Sequence, residues 1–357
     1  MTDEADGRGE WDGRAARAAH DGEFRDRART LARALVRGIE AEGLLADPAW
    51  RAAFEAVPRH LFVPCYYLPL VGGYERLGRD DPDPSVRERW LTGVYEDVPL
   101  ATRVRDGEPR SSSSQPSLMA MMLRDLRVAD GMDVLEIGTG TGWNAALLAH
   151  RLGDARVTTV DVDPEITGEA RTRLAAAGRH PEVVTGDGAL GCPERGPYDR
   201  IIGTCAVDAV PPAWPAQCRP GAVILTPVAT GLLALRVTEP GRAEGRFLPE
   251  PAYFVPLRGD RPPRPRIDPS DLPSEALRTE SFGFLLSLTG GGPAGPDPGT
   301  AYERWRRAGR PDRTRYGVTV RGADQWVWLD DPDGPDRWPL PAGPGTGSAA
   351  GVSPGTG

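Results

Sequence analysis

The fold is decided by the stretch Glu136-Ile137-Gly138-Thr139-Gly140-Thr141-Gly142. An apolar run, VLEI at 134–137, precedes the glycines, and a helical pattern, WNAALLAHRL at 143–152, follows them directly. Glycine lets the backbone turn sharply and approach a ligand closely. A strand, a glycine-rich turn and a helix in this order predict the first unit of an α/β fold with a ligand at the turn.

The chain after this turn continues the alternation of strands and helices. Further apolar runs predict strands at 157–160, 182–185, 200–204 and 222–226, and helical patterns lie at 143–152 and 164–177. Strands that alternate with helices at this spacing form a parallel sheet with helices on both faces. The sequence therefore predicts a doubly wound α/β sheet.

The two ends of the chain have different patterns. Apolar positions recur at helical spacing from Phe24 to Ile39, and Asp47-Pro48 begins a second helix. Near the other end, 316–320 and 325–340 read as β-structure with an Asp-Gly turn, in a small terminal module. We predict four regions: a helical N-terminal cap (1–110), a central ligand-binding domain (111–255), a C-terminal extension (256–340) and a disordered tail (341–357).

Composition excludes several classes of protein. The 357 residues carry a net charge of −8, from 51 acidic and 43 basic side chains, and every basic residue is arginine. This balance argues against a nucleic-acid partner. No apolar run is long enough for a membrane span, and no signal-peptide core is visible, so we expect a soluble cytoplasmic protein. The four cysteines lack zinc-site spacing, and no metal site is predicted. The sequence does not predict the oligomeric state.

Three acidic residues near the glycines distinguish this motif from that of dinucleotide dehydrogenases. Glu136 lies inside the first strand, Asp161 ends the second and suits two ribose hydroxyls, and Asp187 follows the third, where it could accept from an adenine amine. The set resembles class I S-adenosylmethionine-dependent methyltransferases. That resemblance implies a Rossmann-like doubly wound sheet, here with an N-terminal helical segment and a small C-terminal β-containing extension. It also implies S-adenosyl-L-methionine as cofactor, with these binding residues: Glu136, Gly138, Thr139, Gly140, Gly142, Asp161, Asp187 and Gly188.

Several ordered motifs sharpen the resemblance. VPRHLFVP at 57–64, YEDVPL at 95–100 and SSSQPSLMAMML at 112–123 precede the glycines in the order found in protein-L-isoaspartate O-methyltransferases. The later Gly186-Asp187-Gly188 and the run YDRII at 198–202 match as well. The chain resembles that family over roughly residues 45–230, which implies methyl transfer to a carboxylate of a peptide or protein.

Two departures from the family bear on the substrate. The family's active-site segment GQTIS is replaced by Arg110-Ser111-Ser112-Ser113-Ser114, and about 100 residues follow the catalytic domain. Both features resemble an actinobacterial branch associated with ribosomal peptide maturation. The favoured prediction is therefore methylation of an Asp in a modified precursor peptide, whose ester closes to an aspartimide. The alternatives are repair of L-isoaspartyl residues in damaged proteins and a non-catalytic cofactor-binding scaffold.

The resemblance also implies which residues act on the substrate. Ser114 matches the family's active-site serine, and its hydroxyl could orient the attacking carboxylate oxygen. Ser112, Ser113, Gln115 and Val207 are the predicted substrate-binding residues. The alternative interpretation of the serine run is a flexible linker.

Overall fold

The computed structural model describes residues 6–258, 272–289 and 297–340, with side chains from residue 22 onward. The chain forms two compact units, residues 1–120 and 121–357. Residues 259–271 and 290–296, within the predicted C-terminal extension, and the whole predicted disordered tail at 341–357 lie outside the described residues.

The first unit combines helices with a small antiparallel sheet of order β2-β1-β3-β4. Its helices and strands are α1 Asp6–Ala41, α2 Pro48–Ala56, α3 Arg59–Phe62, β1 Cys65–Leu70, β2 Gly73–Gly78, α4 Pro84–Val94, β3 Leu100–Arg105 and β4 Glu108–Ser113. Helix α5, Pro116–Leu126, begins in this unit and ends in the second. The serine run therefore lies on a paired strand and is not a flexible linker.

Local sequence explains where these helices begin. Asp47 caps α2 by accepting a hydrogen bond from the Ala49 amide at 2.8 Å, and the following proline occupies the first helical position. Helix α1 begins at Asp6, well before the Phe24 predicted from apolar periodicity. Alanine and arginine dominate 14–19, and their high helix propensity extends the helix without an apolar pattern.

The second unit is built on a ten-stranded sheet of order β14-β13-β12-β11-β10-β9-β8-β5-β6-β7. The strands are β5 Val134–Ile137, β6 Val157–Asp161, β7 Glu182–Thr185, β8 Tyr198–Gly203, β9 Cys218–Val228, β10 Gly231–Glu239, β11 Arg242–Pro251, β12 Tyr316–Arg321, β13 Asp324–Leu329 and β14 Arg337–Pro339. The helices are α6 Trp143–Leu152, α7 Pro164–Ala176, α8 Ala213–Ala216, α9 Ser274–Arg278, α10 Glu280–Thr289 and α11 Pro298–Arg307. The predicted α/β sheet is confirmed.

The parallel half of this sheet positions the glycine turn. Strand β5 pairs with β6 on one side and β8 on the other, and all four of its residues are buried. The order of the strands reverses beside β5, because β6 and β7 follow on one side and β8 and β9 on the other. Ligands of open α/β sheets bind at the carboxyl ends of strands beside such a reversal.

The antiparallel half continues the same sheet. Strands β9 to β14 follow one another in sequence and in space, and β11 pairs with β12 from Arg242↔Arg321 to Arg246↔Gly317. The β-structure predicted at 316–340 is present, but it extends the main sheet and does not form a separate small module. Aromatic residues of this half, among them Phe282, Trp305 and Tyr316, are buried in the same core as β5 and β8.

Two kinds of site are absent from the described residues. No helix there is long and apolar enough to cross a membrane. No group of three or more His, Cys, Asp or Glu side chains in the same ranges could hold a metal ion.

Candidate active site

The glycine turn after β5 has a backbone that only glycine adopts easily. Gly138, Gly140 and Gly142 have φ values of +100°, +51° and +89°. A Cβ on Gly138 would lie 2.7 Å from the Thr204 hydroxyl, which donates to the Gly138 carbonyl at 2.7 Å. A side chain at this position is therefore excluded by strain and by space.

Glu136 stands beneath the turn as the centre of a buried hydrogen-bond network. Its carboxylate accepts from the side-chain amide of Asn144 at 2.8 Å and from the Thr159 hydroxyl at 2.6 Å. The Thr159 hydroxyl also bonds the hydroxyl of Thr139 at 2.8 Å. The Glu136 side chain is fully buried, and this burial raises its pKa to about 7. In this arrangement Glu136 braces strands β5 and β6 and the turn; its predicted contact with the cofactor remains a prediction.

Asp161 ends β6 beside the glycine turn. One carboxylate oxygen accepts from the Gly140 amide at 3.1 Å, and the other accepts from the Arg258 guanidinium at 2.8 Å. Arg258 also reaches Asp163, at 3.3 Å. The acid predicted to hold a ribose is therefore paired with an arginine that follows it by 97 residues.

Asp187 and Gly188 follow β7. One Asp187 oxygen accepts from the Ala189 amide at 2.9 Å, so the residue caps a short turn. A Cβ on Gly188 would lie 2.7 Å from the Ile137 side chain and 3.1 Å from Leu257. The third predicted acid thus lies where its strand ends, on a backbone that packs closely against β5.

These residues fit an adenosyl cofactor. Acidic side chains follow β6 and β7 at the carboxyl ends of parallel strands, and the glycine backbone leaves room for a close ligand approach. The side-chain oxygen of Asn144, Oδ1, is buried without a hydrogen-bond partner in the described part of the chain, and Asn144 lies just after the turn. An unsatisfied buried acceptor at this place is consistent with a donor supplied by a ligand.

In the first unit, Ser111, Ser112 and Ser113 form the end of β4, and Ser114 follows the strand directly. Ser111 and Ser113 are buried and Ser112 is partly exposed, as alternation along a strand requires; Ser114 is partly exposed as well. The Ser113 hydroxyl accepts from the Arg59 guanidinium at 3.4 Å. The Ser114 hydroxyl has no hydrogen-bond partner within the described ranges of the chain, so it is available to a substrate.

Arg59 holds the serine run in place. Its buried guanidinium donates to the carbonyl oxygens of Val94 at 2.8 Å, Val98 at 3.1 Å and Ser114 at 3.0 Å. Burial lowers the pKa of Arg59 to about 10, which still leaves it charged at neutral pH. Arg59 lies in the VPRHLFVP motif, from which no role was predicted for it; a charged residue between prolines in an apolar segment is the signal that the sequence offers.

Asp97 performs a similar task at the start of α5. It accepts from the Ser117 amide at 2.8 Å and from the Gln115 side chain at 3.1 Å. Gln115 donates to the Ser117 hydroxyl as well, at 3.0 Å. The predicted substrate residue Gln115 is therefore fixed next to Ser114 by the acid of the YEDVPL motif.

Val207 belongs to the second unit. Its side chain is buried in the sheet core, and its amide donates to the Pro227 carbonyl at 3.0 Å. The contact with substrate predicted for Val207 remains a prediction.

The fold and the acid-flanked glycine turn define a class I methyltransferase. The family profile for Protein-L-isoaspartate(D-aspartate) O-methyltransferase matches residues 84–258. Protein-L-isoaspartate O-methyltransferase 1 of Anaeromyxobacter sp. (strain Fw109-5) is 35% identical over 232 residues, which cover 63% of this chain and 94% of the relative. The enzyme of Methanococcoides burtonii is 32% identical and is covered to 98%. The chain belongs to the protein-L-isoaspartate O-methyltransferase family.

Membership settles part of the prediction. The chain is a carboxyl methyltransferase of a family that binds S-adenosyl-L-methionine, so the predicted enzyme class and cofactor are confirmed. The link to ribosomal peptide maturation is not confirmed, and the relatives support the isoaspartate alternative better.

A solved structure named protein-L-isoaspartate O-methyltransferase bears on the C-terminal extension. It matches with a TM-score of 0.59 at 23% identity and covers 84% of this chain and 100% of its own. Residues 1–258 are a smaller share of the chain than that, so the likeness in fold reaches beyond residue 258. The fold beyond residue 258 is therefore shared in part with that structure.

Proposed function

We propose that this chain transfers a methyl group from S-adenosyl-L-methionine to the free carboxylate of an L-isoaspartyl residue in a peptide or protein. Family membership is the observation that carries the proposal. The Ser114 hydroxyl supports it further, because it has no partner among the described residues and the Ser114 carbonyl directly after β4 is held by Arg59.

Several of the predicted residues have a task in this proposed reaction. Asp161 and Asp187 hold the ribose and the adenine, and the backbone of the glycine turn leaves room for the cofactor chain. Ser114 donates a hydrogen bond to the substrate carboxylate and orients it, while Arg59 and Gln115 keep the serine segment in place. When bound, the cofactor supplies a methyl group activated by its sulfonium.

The protein needs no general base for this chemistry. A carboxyl group with an ordinary pKa of about 4 is already ionised at neutral pH. The tasks left to the chain are orientation of the carboxylate and exclusion of water. A neutral hydroxyl such as that of Ser114 can orient the oxygen without taking its charge.

Labelled S-adenosyl-L-methionine tests the proposal with two peptides that differ only in an isoaspartyl or aspartyl linkage. We expect label in the isoaspartyl peptide as a methyl ester. The ester then closes to a succinimide when the following backbone nitrogen displaces the labelled methyl group as methanol. Ser114→Ala should keep cofactor affinity and lose at least about tenfold in turnover, the value of one hydrogen bond. Thr102→Ala, on the neighbouring strand β3, is the control. Turnover unchanged in Ser114→Ala would remove the role of this serine.

A second candidate is methylation of an ordinary Asp in a precursor peptide, with closure to an aspartimide. The observation that favours it is the replacement of the family's Thr-Ile pair by Ser112 and Ser113, since the Ser113 hydroxyl bonds Arg59 where isoleucine could not. Label in the aspartyl peptide alone would favour this candidate over the first. A cytoplasmic location and the absence of a nucleic-acid partner remain predictions from composition.

A further inference from the structure

An arginine-lined groove of about 640 Å³ lies in the first unit, along α1. Arg25, Arg29, Arg33 and Arg37 line it at intervals of four residues, which places them on one face of the helix. The row is about 18 Å long at 1.5 Å per residue. Five arginines and a single glutamate line the groove, in a chain whose net charge is −8.

Most of this positive charge is not neutralised by the side chains that the structure describes. Among the described residues, Arg25, Arg33 and Arg37 have no acidic partner, and Arg29 has only an exposed contact with Asp26 at 3.4 Å. By contrast, Arg27, on a different face of α1, pairs with Glu88 at 2.8 Å. The helix therefore leaves unpaired charge on its groove side.

The far wall of the groove is closer to neutral. Arg51 pairs with both Glu40, at 2.8 Å, and Glu55, at 3.2 Å. His60 bonds the Tyr95 hydroxyl at 2.7 Å, and burial lowers the pKa of His60 to about 4, so its ring carries no charge at neutral pH. The positive charge of the groove therefore comes from the row of arginines on α1.

The groove is connected to the serine segment through the chain. His60 follows Arg59, which holds Ser114, and Tyr95 lies two residues before Asp97, which holds Gln115. A segment bound along α1 therefore contacts residues next to those that position the proposed substrate hydroxyl.

We propose that this groove binds an acidic segment of the peptide or protein substrate, outside the residue that is methylated. The inference rests on the proposed function, because it assumes a peptide substrate. In an extended peptide, every second side chain lies on the same face about 6.6 Å apart, close to the 6 Å between arginines four residues apart. Acidic residues at alternate positions would match the row.

A peptide is favoured over a nucleic acid by the rest of the molecule. Phosphate backbones need many cationic contacts, and the overall charge of −8 repels them. A short acidic peptide needs only the row of arginines on α1. Each exposed ion pair between the peptide and this row contributes a few-fold to the affinity.

Fluorescence anisotropy on the full-length protein tests the proposal. The probe is a labelled peptide with four glutamates at alternate positions, and its glutamine counterpart is the control. We expect the glutamate peptide to bind more tightly at low than at high salt. Arg29→Gln/Arg33→Gln should weaken it about tenfold, while Arg27→Gln leaves it unchanged. The proposal would be overturned if the double variant bound the glutamate peptide as tightly as the natural protein does. It would also be overturned if the same arginines bound a single-stranded oligonucleotide more tightly than the glutamate peptide.

Kinetics separate this proposal from the proposed function. With an isoaspartyl peptide that carries the acidic segment, the double variant should raise KM about tenfold and keep kcat. With a short neutral isoaspartyl peptide, both constants should stay those of the natural protein. No methyl transfer to either peptide would contradict the proposed function while the anisotropy still decides the groove. If the natural protein had the same KM for the acidic and the neutral isoaspartyl peptide, the proposed role of the groove would be overturned and the proposed function would stand.

Discussion

At the residue scale, Asp161 has two competing partners. Its predicted ligand is a ribose, yet in the structure Arg258 donates to one of its oxygens at 2.8 Å. The guanidinium is partly exposed, so the ion pair is modest in energy. Ribose hydroxyls that bind the same oxygens must displace or share this partner.

We therefore expect Arg258→Ala to bind S-adenosyl-L-methionine two- to fivefold more tightly, the range for roughly one exposed ion pair. Asp161→Asn should bind it more weakly, since the charged acceptor is lost. Isothermal titration calorimetry measures both constants, with Arg242→Ala, an exposed arginine paired with Glu239, as control. Weaker binding in Arg258→Ala would mean that the arginine contributes to the cofactor site.

Glu136 makes stability depend on pH. Burial raises its pKa from 4.5 to about 7, so between these values the folded chain holds a proton that the unfolded chain releases. The free energy of unfolding therefore falls as pH rises through this window. Glu136→Gln keeps the neutral shape and removes the slope, so between about pH 5 and pH 8 the variant should gain up to about 3 kcal/mol relative to the natural protein.

Thermal denaturation at a series of pH values checks this expectation. Glu239→Gln, an exposed glutamate on β10, serves as the control and should follow the natural protein. Parallel profiles for Glu136→Gln and the natural protein would contradict the raised pKa.

At the scale of elements, Arg59 joins three segments of the first unit. Its guanidinium links α3 to the loop after α4 and to the end of β4 through carbonyl oxygens. Lysine offers a single ammonium in place of the planar fork, so Arg59→Lys leaves buried carbonyls unsatisfied. We expect a loss of about 2 kcal/mol or more in the free energy of unfolding.

The midpoint of thermal unfolding measures this loss, with Arg76→Lys as the matched control. Arg76 pairs with Asp80 on the surface at 2.9 Å, so its replacement should change stability little. If the two variants unfolded at the same temperature, Arg59 would not be the link that we infer.

Element by element, the parallel core was predictable and the antiparallel strands largely were not. Strand β5 and helix α6 have the predicted limits, because a fully buried parallel strand is marked by an apolar run and the helix by its periodicity. Strand β7 also has the predicted limits, although only Val183 of its four residues is buried. Strand β4 reads EPRSSS and β11 reads RAEGRFLPEP, neither with an apolar run, since each is held by its neighbours in the sheet. The domain limits predicted at 110, 255 and 340 remain predictions.

The candidate active site also divides into residues that the sequence predicts and residues that it does not. The glycines and the acids after the strands are local in sequence, and the structure places Gly140 and Asp161 in contact. Arg258 could not have been found this way, because 97 residues separate it from its partner Asp161. Contacts of that length depend on the completed sheet.

At the scale of the whole chain, β12 to β14 protect the edge of β11. A chain that ends after residue 309 would leave the β11 backbone unpaired from Arg242 to Arg246. Unpaired edge strands join other chains, so we expect this truncation to aggregate. Size-exclusion chromatography with light scattering measures it, with a chain ending after residue 340 as control. An elution profile equal to that of the control would contradict the expected role.

The order of the sheet also has a consequence for the history of the gene. From β9 to β14 each strand pairs with the one before it in sequence, and the strands around the glycine turn lie toward the opposite edge. Codons appended at the 3′ end therefore add strands at one margin without rearranging β5, β6 or β7. A gene for a methyltransferase of this topology can be lengthened in this way, strand by strand, while the ligand-binding half goes on folding as before.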